Sequence, residues 1–191
     1  YAQLVESVNR FGNALLARGI KPNDRLLMVV KDCPEFYFLF WGCVKAGIIP
    51  LPANTMLGET DYAFILADTG AVAVAFSDDF VEKVPLTDGV ALISIESCLV
   101  DEAAAASAVL ETSHAAADSL CFLLYSSGTS GAPKGVTHTH RHIIATCRLF
   151  AAATIGCEEK DIFFSTSRLF FAYGFGFGMN FPLWVGGTAV L

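Results

Sequence analysis

The sequence predicts an α/β fold of layered, mostly parallel sheets flanked by helices. Three observations carry that expectation. Apolar residues recur at helical spacing over the first eighteen residues. Short, nearly continuous apolar runs follow, of the kind needed by strands covered on both faces. The two patterns then alternate along the chain, with glycine and proline marking the switches.

Leu4, Val5, Val8, Phe11, Leu15 and Leu16 form a stripe that predicts a helix over Ala2–Arg18, ended by Gly19. After the turn KPND, Arg25–Val30 (RLLMVV) predicts a buried strand. Pro34 suits a first helical turn, and the helix it opens is expected to end near Gly47. Ile48–Leu51 reads as a short strand, Glu59–Asp68 as a helix, and Ala71–Phe76 and Val90–Ile95 as two further strands. Asp78-Asp79, between Ser77 and Phe80, reads as a helix start and not as a pair of catalytic acids. Asp101–Asp118 (DEAAAASAVLETSHAAAD) breaks the composition: it suits a surface helix or a crossing between two lobes, and the crossing is the expectation. Leu120–Tyr125 (LCFLLY) predicts another buried strand. The chain therefore divides into a first α/β lobe over 1–100, a crossing segment over 101–118 and the start of a second lobe over 119–191.

Composition narrows the function classes. The chain has 191 residues, 54% of them hydrophobic, and a mean hydropathy of +0.53. Such values point either to a membrane or to surfaces that face more protein. Phe36–Leu51, the longest apolar stretch, is interrupted by Lys45, Gly47 and Pro50, and it falls short of the roughly 20 residues a spanning helix needs. The first residues are polar and amphipathic, without the apolar core of a signal peptide. Tyr1 is no initiator, and the final GGTAVL reads as a strand in mid-architecture, so both ends are expected to continue into a longer chain. With a net charge of −7 and twelve dispersed Lys and Arg, the chain lacks the positive face that nucleic acid requires. Cysteines 33, 43, 98, 121, 147 and 157 form no C-x-x-C pair. They predict free, buried thiols and a reducing, cytoplasmic setting.

The chemistry concentrates in YSSGTSGAPKGVT, residues 125–137. Gly128, Gly131 and Gly135 allow backbone N–H groups to converge on an anion with no Cβ in the way. Ser126, Ser127, Thr129 and Ser130 add hydroxyl donors, and Lys134 adds a compact positive charge. This combination suits a polyphosphate. A plain Ser/Gly surface turn would share the composition, but not the placement after a buried strand or the Pro133-Lys134-Gly135 anchor. The loop is no Walker motif, because Lys134 stands between Pro133 and Gly135, and it is no G-x-G-x-x-G.

YSSGTSGAPKGVTHTH resembles the signature of the adenylate-forming superfamily, which holds acyl-CoA ligases, peptide-synthetase adenylation domains and luciferases. CVKAGIIPLPANTML (43–57) is similar to a helix-to-strand segment of the same enzymes, so the resemblance covers essentially the whole chain. It implies part of the large N-terminal domain of an adenylate-forming enzyme. It also implies that Ser126, Ser127, Gly128, Thr129, Ser130, Gly131 and Lys134 grip the β- and γ-phosphates of MgATP. Thr129, Ser130 and Lys134 would be the main contacts, with Thr129 and Lys134 the catalytic pair. They would orient pyrophosphate as leaving group while a carboxylate attacks the α-phosphate, chemistry that needs positioning and charge stabilisation but no protein nucleophile. Coenzyme A would accept the acyl group, and Mg²⁺ would enter with ATP, with no metal ligands in this chain.

A second segment refines that reading. Residues 163–187 (FFSTSRLFFAYGFGFGMNFPLWVGG) hold seven of the 16 phenylalanines, and Gly174, Gly176 and Gly178 alternate with aromatics. For most of these phenylalanines a core helix is the expected role. The glycines weaken that role locally and leave gaps for a flat ligand against backbone. RLFFAYGFGFGM resembles the acyl-pocket segment of benzoate-type CoA ligases, which implies that Phe171, Ala172, Tyr173 and Gly174 line an aryl-acid site. Many aliphatic and cinnamate-type relatives carry histidine where Phe171 stands, so the departure favours an aryl pocket.

His138, His140 and His142 alternate like metal ligands, yet they sit where a strand is expected to yield to a helix starting at Thr139 or His140. The resemblance further leads to Thr-Glu, aspartate and lysine motifs that do not occur before Leu191, so the 191 residues alone are expected to be inactive. Two alternatives keep the loop. A peptide-synthetase-type domain would pass the acyl group to a carrier protein, and a non-catalytic nucleotide-binding module would need no acyl pocket. The expected partners are a small carboxylic acid, ATP and CoA, with no nucleic acid and no membrane insertion. The chain is also compatible with homo-oligomerisation.

Overall fold

A computed structural model describes residues 1–126 and 133–191. It is an α/β arrangement whose first half alternates as the hydropathy pattern predicts: α1 (Ala2–Ala17), β1 (Arg25–Val29), α2 (Pro34–Ala46), β2 (Ile49–Pro52), α3 (Glu59–Thr69), β3 (Ala73–Phe76) and β4 (Ala91–Ser94). The four strands form one parallel sheet in the order β2-β1-β3-β4. Successive side chains of β1 face opposite layers. Leu26 and Met28 join Phe11 and Leu15 of α1 and Phe36 and Phe40 of α2. Leu27 and Val29 join Tyr62, Ile65 and Leu66 of α3.

Local preference alone would not make α2 a helix, because FYFLFW is rich in strand-favouring aromatics. Pro34 starts the helix, and its buried positions 36, 37, 39, 40 and 43 follow helical spacing. Each aromatic costs at most about 0.7 kcal/mol in helix propensity. Full burial of a large apolar side chain returns roughly 1.5–3 kcal/mol, so packing decides. β2 carries Pro50 and Pro52 opposite Leu26 and Met28, and prolines lacking an N–H suit an edge strand. The next strand in space, β5 (Leu120–Ser126), accordingly packs beside β2 without joining its ladder.

Between the sheet and β5, a π-type turn at Ile95–Leu99 leads into the short α4 (Val100–Ala105). Residues 106–118 form no regular element. Donors on α1 strap them down. Asn9 Nδ2 donates to Ala108 O at 2.7 Å, Asn13 Nδ2 to Ser107 O at 2.8 Å, and Arg10 Nη1 to Ala106 O at 2.6 Å.

β5 pairs antiparallel with β6 (Lys134–Thr139), a departure from the parallel order elsewhere. Thr139 caps α5 (His140–Thr146), which runs on as a π-type helix to Ile155. β7 (Ile162–Phe164) pairs in parallel with β8 (Thr188–Val190). Between those strands the aromatic segment forms α6 (Ala172–Phe175), a π-type stretch over Gly176–Asn180, and α7 (Phe181–Val185). No helix among the described residues is long and apolar enough to cross a membrane.

Two expectations need correction. All six cysteines are free, but Cys33, Cys98 and Cys157 are only half-buried, because they lie at an element end or beside a turn and not on an inward face. The seven phenylalanines do not share one core helix: Phe163, Phe170, Phe175 and Phe181 are buried, whereas Phe164 and Phe171 are exposed, since the segment opens as a strand and a loop. Burial pushes the Cys121 thiol up to about 12, so it stays protonated at neutral pH.

Candidate active site

The β5–β6 hairpin builds the site from one strand pair. Its last rung joins Ser126 to Lys134, and the rung below joins Tyr125 to Gly135. Both Ser126 and Lys134 are exposed, so a hydroxyl and an ammonium flank the mouth of the loop between them. Among the described residues no carboxylate pairs with Lys134. The remaining predicted phosphate contacts, Ser127, Gly128, Thr129, Ser130 and Gly131, lie outside the described residues.

The inner face of the hairpin meets the aromatic segment. Phe122 of β5 and His138 of β6 stack with centroids 4.5 Å apart and planes 4° from parallel. Phe122 also lies 5.0 Å from Phe175 and 5.6 Å from Phe40 of α2. A cavity of about 110 Å³ opens between the hairpin, α5 and α6, lined among others by Phe122, Leu124, His138, His142, Ala172 and Phe175. Burial, and then the neighbouring His142, lower the pKa of His138 and so favour its neutral form. His142 Nδ1 accepts from the Thr139 N–H at 3.1 Å, which makes it part of the α5 cap. The histidine triplet thus splits between a strand, a helix start and a cap, and no group of three metal-ligating side chains exists among the described residues.

The four predicted acid-site residues occupy different surroundings. Ala172 reaches the cavity rim. Phe171 and Tyr173 are exposed, each against another ring: Phe171 lies 4.6 Å from Phe170, and Tyr173 stacks on Phe177 at 4.7 Å. Gly174 is buried, and a Cβ there would lie 2.1 Å from Arg168 O and 2.4 Å from Ser167 O. The chain's own atoms likewise fill the space beside Gly176 and Gly178, where Phe181 and Leu169 approach. The gaps expected beside these glycines are therefore closed by the preceding loop and the following helix turn.

Residues that sequence reasoning missed hold this geometry in place. Asp32, just past β1, accepts the Leu169 N–H at 3.1 Å and lies 3.6 Å from Arg168, fixing the loop that leads to Phe171. The position is at a point where strand order reverses, where α/β sheets gather ligand-facing groups. Tyr37 of α2 donates its hydroxyl to Gly178 O. Tyr125 donates to Asp68 of α3 at 2.5 Å.

Comparison with known proteins gives a consistent family. The model of the family described as "AMP-binding enzyme" matches residues 1–191. A benzoate–CoA ligase of Thauera aromatica is 40% identical over the whole chain and 38% of its own length. A 4-hydroxybenzoate–CoA/benzoate–CoA ligase of Rhodopseudomonas palustris is 32% identical over the whole chain and 37% of its length. Among solved structures, a benzoate CoA ligase from Burkholderia xenovorans LB400 superposes with a TM-score of 0.91 at 36% identity, over 98% of this chain and 39% of that one. The chain thus spans under two-fifths of the length of these relatives.

Proposed function

We propose, because this chain belongs to the AMP-binding enzyme family, that the full-length protein activates a benzoate-like acid and transfers it to coenzyme A. The acid's carboxylate oxygen attacks the α-phosphorus of ATP, the bond to the bridging oxygen breaks, and pyrophosphate leaves with its electron pair. The thiol sulfur of CoA then attacks the acyl carbon of the adenylate, AMP leaves, and the thiol proton passes to solvent. Ser126, Ser127, Gly128, Thr129, Ser130, Gly131 and Lys134 hold the β- and γ-phosphates, with Mg²⁺ arriving on the triphosphate. Thr129 and Lys134 stabilise the charge that develops on the leaving group. The 191 residues on their own complete neither half-reaction.

One observation carries this reading: the hairpin that ends in the Ser126–Lys134 rung also forms, through Phe122, Leu124 and His138, a wall of the cavity that Ala172 rims. Phosphate and acid ends would thereby share one strand pair. The donor set suits the phosphates, since a hydroxyl and an ammonium that has no carboxylate partner among the described residues flank the mouth. At about 110 Å³ the cavity is smaller than the ~150 Å³ space known to hold benzene. An aromatic ring would therefore sit partly inside it, with Ala172, Phe171 and Tyr173 around the portion outside, while Gly174 lets the backbone behind them lie against the Arg168 and Ser167 carbonyls.

Ala172→Leu in the full-length protein tests the acid end. The added atoms at the rim should raise the KM for benzoate about tenfold or more and leave the KM for ATP in place. Equal rises in both would overturn the pocket assignment.

A further inference from the structure

We propose that Tyr125, latched to Asp68, is the positioning residue that fixes the mouth of the phosphate-holding hairpin. The inference rests on the phosphate role given above to Lys134 and extends it to residues that touch no ligand.

The geometry is specific. Tyr125 is the last residue of β5 before the mouth rung, and its register partner is Gly135. Its ring lies across that glycine so closely that a Cβ on Gly135 would stand 3.0 Å from Tyr125 Cζ and 3.1 Å from its hydroxyl oxygen. The hydroxyl then donates to Asp68 Oδ2 at 2.5 Å. Asp68 belongs to α3, which Tyr62, Ile65 and Leu66 anchor in the second core layer of the sheet. One side chain therefore links a rigid helix of the first lobe to both strands of the hairpin, directly below Lys134.

The hairpin has reason to need such a link. Among the described residues β5 and β6 form a sheet of two strands only, and β6 is exposed over most of its length. A two-stranded ribbon is marginal by itself in water. Ser126 and Lys134 would also bear the pull of a multiply charged phosphate chain, and a contact of this kind loses its value when misplaced by about 1 Å. The latch is a hydrogen bond to a carboxylate, a class stronger than a neutral one. Burial, reinforced by Asp68, raises the Tyr125 hydroxyl above its ordinary range, so it remains a donor across physiological pH.

The test uses the full-length protein and acid-dependent ATP–pyrophosphate exchange. Tyr125→Phe keeps the ring and loses the donor; Asp68→Asn keeps the shape and loses the charge. Each should raise the KM for ATP about tenfold, the size expected for a lost charge-assisted bond, while the KM for the acid stays in place. The double variant should be no worse than either single one, because both remove the same contact. Asp68 is exposed, so Asp68→Asn should fold even if Tyr125→Phe does not, and it carries the same expectation alone. Additive losses, an unchanged KM for ATP, or parallel rises for ATP and acid would overturn the latch. Lys134→Ala separates the two claims. If it slows exchange while the latch variants leave ATP use untouched, the latch alone fails; if it has no effect, the phosphate reading fails and the latch with it.

Discussion

Replacing Lys134 by alanine in the full-length protein is expected to slow adenylate formation by ~10²-fold or more, the cost of removing a preorganised charge from a developing anion. Lys134 begins β6 at the mouth rung, opposite Ser126, and the strand fixes where its side chain starts. Its ammonium is exposed and has no carboxylate partner among the described residues, so a phosphate need not displace a competing ion pair. An exposed lysine in a purely structural role contributes within about 0.5 kcal/mol to stability, so its removal should leave the melting temperature unchanged. The expected signature is a large fall in kcat with intact folding, read from single-turnover formation of acyl adenylate and from thermal unfolding. An unchanged rate would remove Lys134 from the chemistry.

Phe40→Ala should have the largest effect on stability, lowering the unfolding free energy by about 4 kcal/mol, within the range for emptying a fully buried aromatic site. Phe40 is completely buried. Its ring meets Trp41, Phe122 and Phe175 edge-on at 5.3, 5.6 and 5.0 Å. Those neighbours come from α2, β5 and α6, so one side chain joins α2, the hairpin and the aromatic segment. Aromatic pairs add roughly 0.5–1.5 kcal/mol beyond the area they bury. Phe40→Leu, which refills most of the volume, should therefore lose under half as much. Urea unfolding of the two variants measures the difference, and a loss below about 1 kcal/mol for Phe40→Ala would mean that the three elements are held together elsewhere.

Residues 1–100 were largely legible in the sequence because each signal there is local. RLLMVV is a strand because both faces are covered, and Pro34 and Gly47 bracket α2 as expected. The boundaries moved by a residue or two: the predicted strand over 71–76 begins at Ala73, because Ala71 and Val72 still belong to the approach from α3. Val90–Ile95 contracts to Ala91–Ser94 because Ile95 starts the π-type turn. The strand leading into the loop was equally plain. What escaped was long-range. Nothing near Tyr125 in sequence announces Asp68, and nothing near Leu169 announces Asp32, since these bonds exist only once distant segments are packed together. The glycines of the aromatic segment suggest openings for a ligand, but periodicity cannot tell a ligand from the chain's own Arg168 and Ser167 carbonyls. Three of the six thiols were expected deeper than they lie, because apolar neighbours in sequence do not reveal which way a side chain points at the end of an element.

The most direct test of the central claim is acid-dependent ATP–pyrophosphate exchange by the full-length protein. The panel is benzoate, hydroxybenzoates, halobenzoates, cinnamates and short fatty acids. Exchange should be supported by benzoate or a small substituted benzoate, and only weakly by cinnamates and short fatty acids. Exchange driven equally well by aliphatic acids would contradict the aryl assignment, and no exchange with any acid would contradict adenylate formation itself.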